Sequence, residues 1–75
     1  MTENGQICTD VNMAYIMGDA ECSEAVLLFG TIYDGHHEKD NVPTGCYILD
    51  GAIGRYNTHK LGSRHGLTKS ICKGN

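Results

Sequence analysis

The chain has no tryptophan, one phenylalanine and one proline, and residues 51–75 contain no acidic residue at all. Few large aromatics in 75 residues mean a thin core, because a chain of this size buries only about 60% of its unfolded surface. No apolar run approaches the roughly 18–20 residues that a membrane helix needs; the longest, residues 25–29, stops at Gly30. Met1-Thr2-Glu3-Asn4-Gly5 lacks the basic start and apolar core of a signal peptide. These absences predict a cytoplasmic protein with no membrane partner. Apolar residues make up 40% and charged residues 20% of the chain, values that exclude an acidic disordered chain, a collagen-like repeat and a coiled coil. A single small domain over residues 1–75, without a linker, is expected.

What the chain does contain is cysteine, glycine and an uneven charge. Cys8, Cys22, Cys46 and Cys72 span its length. Four cysteines allow three disulfide connectivities, but disulfides need an oxidising compartment, and no Cys-x-x-Cys pair marks a redox motif. The favoured expectation is therefore four free, buried thiols acting as small hydrophobes, with disulfides second and a metal site third.

The net charge of −3 conceals a segregation. Nine acids (Glu3, Asp10, Asp19, Glu21, Glu24, Asp34, Glu38, Asp40, Asp50) against Lys39 leave residues 1–50 at −8, whereas Arg55, Lys60, Arg64, Lys69 and Lys73 leave residues 51–75 at +5. Such asymmetry points to an interaction surface. The basic third has three readings: it tracks phosphates, it meets an acidic partner protein, or it packs beside the acidic part of its own chain or of another copy. The last is the plainest reading.

Alternation of Val11, Met13, Tyr15 and Met17 predicts a strand over residues 11–17. Residues 19–33 are ambiguous. Asp19, Glu21 and Glu24 ahead of the apolar run and Gly30 behind it suit a helix at about 20–29, while Val26, Phe29, Thr31, Ile32 and Tyr33 favour a strand running to an Asp34-Gly35 turn. The β-prone content tips the expectation to strand. Residues 36–44 read as a polar loop. Asp50-Gly51 between residues 46–49 and 52–56 predicts a type I′ hairpin, since both turn positions need positive φ. Gly30-Thr-Ile-Tyr-Asp-Gly35 and Gly45-Cys-Tyr-Ile-Leu-Asp-Gly51 hint at a repeated hairpin. Gly62 and Gly66 bracket a turn, residues 67–72 form a last strand, and residues 73–75 are a frayed tail. The fold class expected is mainly β, a small antiparallel sheet or barrel of short strands, with α+β carrying one helix at about 20–29 as the alternative.

Candidate chemistry is sparse. Cys46, His59 and His65 have Cys-x12-His-x5-His spacing, but no second cysteine precedes Cys46 as a zinc finger requires. Cys72 near Lys69, Lys73 and His65 has the electrostatic setting of a reactive thiolate. Neither carries a site, so no metal, cofactor or catalytic residue is expected. Arg55, Tyr56, Lys60, Arg64, His65 and Lys69 are the expected binding residues, because arginine forks and planar rings contact phosphates, bases or acidic side chains. The functional expectation is a small non-enzymatic protein-binding or assembly module. It would be regulatory, inhibitory or accessory, viral accessory proteins included, and would work by self-association or on a protein partner. Nucleic-acid or nucleotide binding through residues 55–73 is the alternative.

Overall fold

The computed structural model describes residues 1–73; Gly74 and Asn75, in the expected frayed tail, lie outside them. After a 3-10 turn at Cys8–Val11 come β1 (Ala14–Tyr15), α1 (Asp19–Leu28), β2 (Ile32–His37), β3 (Gly45–Leu49), β4 (Ile53–Asn57), β5 (Thr68–Ser70) and β6 (Cys72–Lys73). A four-stranded sheet has the order β2-β4-β3-β5, and β1 pairs with β6 in a two-stranded one. The β3–β4 and β3–β5 pairs are antiparallel, whereas β2 and β4 are parallel. The domain is thus β-rich with one helix among the described residues, and no helix there is long and apolar enough to cross a membrane.

The ambiguous segment resolves as helix, against the preference for strand. Asp19 and Glu21 occupy the first turn of α1, where the unpaired N–H groups favour acids. Gly30, at φ 75°, supplies the left-handed residue beyond the C-terminus, and its N–H bonds the Leu27 carbonyl at 3.0 Å. Intrinsic β-propensity loses here to tertiary packing. Cys22 and Val26, four residues apart on one stripe, are fully buried against the sheet, in a core with Ile16, Cys46, Ile48, Tyr56 and Ile71.

The Asp50-Gly51 hairpin forms as expected. Asp50 and Gly51 sit at φ 54° and 70°, and the Ala52 N–H closes the turn onto the Leu49 carbonyl at 3.1 Å. Ala52 is then an extra residue, since the ladder resumes with Leu49 opposite Ile53. Asp34-Gly35, by contrast, is no turn. It lies inside β2, where Gly35 at φ 91° coincides with a register shift against β4 between Tyr33 and His36, so the apparent repeat of two hairpins does not hold. His36 and His37 belong to β2 rather than to a loop. The strand expected over residues 11–17 shrinks to Ala14–Tyr15, and that over 67–72 breaks at Ile71 into β5 and β6.

The cysteines correct the sequence reading most sharply. None is free: Cys8 pairs with Cys72 and Cys22 with Cys46. The second bond ties α1 to β3 within the core, and the first ties the 3-10 turn to β6.

Close approach of α1 to the sheet depends on Gly54. A β-carbon placed there would overlap both γ-methyls of Val26 and come within 2.9 Å of its Cβ. Gly54→Ala should therefore cost about 1–3 kcal/mol by overpacking. In urea titrations the double variant Gly54→Ala, Val26→Ala should be no less stable than Gly54→Ala alone; strictly additive losses would contradict this packing.

Candidate binding face

The ladder registers sort the sheet's side chains into two faces. Gly54, Ile48, Cys46, Tyr56 and Tyr33 share the face covered by α1. On the other face, Ile32, Ile53 and Leu49 stand side by side across β2, β4 and β3. This aliphatic row lies at the end of the sheet marked by the Asp50-Gly51 turn. Leu67 joins that end, its carbonyl accepting from the Asp50 N–H at 2.7 Å. The C-terminus of α1 reaches the same end, because only residues 29–31 separate it from β2.

Several large apolar side chains there are left in solvent. Leu27 is 62% exposed, Leu28 87% and Ile32 72%, with Phe29 about half exposed. Helical geometry explains the first two. At about 100° per residue, Leu28 falls roughly 140° from the buried Cys22/Val26 stripe, so the apolar run 25–29 buries only part of its surface. The sequence carried this signal, but it becomes readable only once the segment is taken as helix.

Beside the aliphatic row the face turns polar. Arg55 holds Asp34 through Nε at 2.9 Å and Nη2 at 2.8 Å. Next to it, the Tyr47 hydroxyl lies 2.6 Å from His37 Nε2, with the rings stacked at 5.7 Å between centroids. Burial pushes the Tyr47 phenol up, with Arg55 pulling the other way. Burial also pulls His37 down, helped by Arg55 and Lys39, which favours the neutral imidazole in its hydrogen bond with the Tyr47 hydroxyl.

The edges of the sheet differ. The outer edge of β5 is closed by the N-terminal residues: the Thr2 N–H bonds Ser70 O at 2.9 Å, the Gly5 N–H bonds Thr68 O at 3.0 Å, and the Ser70 N–H bonds Thr2 Oγ1 at 2.8 Å. Among the described residues no strand pairs with the outer edge of β2.

The residues expected to bind are scattered by this fold. Arg55 is half-buried on the open face and engaged with Asp34. Tyr56, one residue on, points the other way into the core under α1. Lys69 is level with Ile48 and so also lies on the helix side. Lys60 is exposed beyond the far end of β4. Arg64 is bound by Asp10 through Nε at 3.1 Å and through Nη2, an attachment that, with the Ile7 N–H, holds the Asp10 carboxyl below its ordinary range. His65 is half-buried and accepts the Leu67 N–H on Nδ1 at 3.1 Å. Two of the five cations of residues 51–75 are thus matched by carboxylates of the first fifty residues, in keeping with the plainest of the three charge readings.

The other candidate chemistries lose their sulfur. Cys46 is bonded to Cys22 and cannot serve as a thiolate ligand with His59 and His65. Cys72 is bonded to Cys8, so no thiolate stands near Lys69, Lys73 or His65. Comparison with protein-family models, with curated proteins and with solved structures finds no match to the chain.

Proposed function

We propose that the chain is a non-enzymatic protein-binding module of a regulatory or assembly kind, which docks a protein partner on the apolar end of its sheet. The observation that carries this reading is the cluster of Leu27, Leu28, Phe29 and Ile32, large apolar side chains exposed together within six residues. A folded chain with so little apolar material to bury gains from covering such a patch, and contiguous exposed patches mark interaction sites. The expected charged contacts recede in this reading. Arg55 remains at the rim, Arg64 is held by Asp10 and Tyr56 faces the core. Nucleic-acid binding by residues 55–73 has correspondingly less to draw on.

The two disulfides lead us to place this activity in an oxidising compartment rather than the cytoplasm, because a reducing environment would not maintain them.

A photo-crosslinking side chain substituted at Leu28 or Ile32 tests the reading in the cells that make the protein. Both positions should give the same discrete protein adduct, and exposed Glu3 should give none. Diffuse labelling, alike at all three positions, would refute it.

A further inference from the structure

We infer that the partner enters as an extended basic segment, which adds to the sheet as a strand along the outer edge of β2. This inference rests on the docking reading above and names the chemistry of its partner. Three observations carry it.

The first is the asymmetry of the edges. Unpaired strand edges are templates for pairing, and this chain closes the β5 edge with its own residues 2–5, while among the described residues no strand covers β2. Strand addition draws affinity from main-chain hydrogen bonds and specificity from the side chains beside the edge.

The second is what lies beside the edge. At its start Ile32 is exposed, and so are Leu27, Leu28 and Phe29, which precede it in the chain. Along the rest the charges are acidic. Asp34 is on β2 itself. Asp19, at the start of α1, bonds the Tyr33 hydroxyl and sits 3.6 Å from His36 Nδ1. Glu38 and Asp40 follow directly after the strand and are exposed. Against these stand Arg55, which offsets Asp34, and Lys39, so the acidic excess is carried by Asp19, Glu38 and Asp40. An incoming strand is therefore matched by apolar side chains at one end and by lysine or arginine along the remainder.

The third separates this occupant from a second copy. Another β2, added antiparallel about its own centre, would bring Asp34 and the neighbouring Asp19 of the two copies towards one another, and like charges across a strand pair oppose it. A foreign basic strand meets no such repulsion.

The test uses the oxidised protein and a capped, fluorescent seven-residue peptide of alternating lysine and valine, at about 50 mM salt. Anisotropy should show saturable binding, and amide exchange should slow at residues 32–37. The same peptide N-methylated at alternate amides keeps its charge but cannot pair as a strand; it should bind at least about tenfold more weakly, the value of two or more lost hydrogen bonds. Replacing Glu38→Lys and Asp40→Lys together, at exposed positions, should weaken the lysine peptide and strengthen its glutamate counterpart. Equal binding of the methylated peptide, or protection at residues other than 32–37, would overturn the inference. So would absence of binding at about 1 mM peptide. A discrete adduct from position 32 together with any of those results would leave the docking reading standing and reject only the basic strand. A homodimeric adduct would assign the edge to a second copy instead.

Discussion

Full reduction of the disulfides is expected to unfold this protein at 25 °C. Cross-links spanning 64 and 24 residues restrict the unfolded chain by about 4 and 3 kcal/mol respectively in the chain-entropy treatment. Domain stabilities are about 5–15 kcal/mol, with small domains at the low end. Losing both bonds therefore removes most or all of the margin, and the thin core cannot replace it.

The two bonds should not break together. Cys8, Cys22 and Cys46 are buried, whereas Cys72 is partly exposed, so an incoming thiolate reaches the Cys8–Cys72 bond first. Mild reductant should give a species retaining Cys22–Cys46, with α1 still fastened to β3. In that species the 3-10 turn, β1 and β6 should loosen, and with them residues 2–5 on the β5 edge. Alkylation trapping with mass mapping identifies the surviving bond, and circular dichroism follows the fold. A fully reduced chain that kept its cooperative thermal transition would contradict the assignment of stability to these links.

The second large effect is expected at Asn57, a fully buried amide at the end of β4. Its NH2 faces the carbonyls of Lys39, Val42 and Pro43 at 2.7, 3.2 and 3.0 Å. Its oxygen accepts from the N–H groups of Lys39 at 3.0 Å and His59 at 3.1 Å. One side chain thus satisfies the backbone of two irregular segments, 39–43 and 58–59, that have no ladder of their own. Asn57→Ala removes all five bonds, although the Val42 carbonyl still accepts the Ser63 N–H, and should cost about 2–4 kcal/mol, a fall of roughly 10–20 °C in Tm for a domain of this size.

Asn57→Asp keeps the shape and should be worse at neutral pH, since it aims a buried carboxylate at three carbonyl oxygens. Burial raises the pKa of such an acid in the folded state. The folded variant then holds its proton more tightly than the unfolded chain, and its stability should rise as the pH is lowered towards 5. Thermal melts at pH 8 and pH 5 measure this. If Asn57→Asp melted like the original protein at pH 8, the amide network would not be what holds these segments.

Local chemistry explains why some elements were readable in advance. Asp50-Gly51 needed nothing beyond its two residues, because positive φ at adjacent positions is a local demand that aspartate and glycine meet. The acids and the glycine bounding α1 were equally local signals. They were outweighed by the β-branched and aromatic content of the run they enclose, although that content is decided by what the run packs against. Asp34-Gly35 misled for the same reason. The dipeptide offers positive φ, and the neighbouring strand determines whether it is spent on a turn or on a bulge.

The candidate face was less legible still. Leu49 and Ile53 face one another across the hairpin, but Ile32 is 17 and 21 residues away from them, and only the parallel pairing of β2 with β4 brings it alongside. Arg55 and Tyr56 are adjacent in sequence and were expected to act together, yet strand alternation sends one to the open face and the other beneath α1.

By itself the sequence determined a small β-rich domain, its hairpin and the segregation of its charge, because each depends on composition or on residues a few positions apart. Tertiary structure decided the disulfide pairing, the state of residues 19–28, the use of Arg55 and Arg64 in internal ion pairs, and which edge of the sheet stays open. Those outcomes depend on contacts between distant parts of the chain, and their energies compete with local propensity on equal terms.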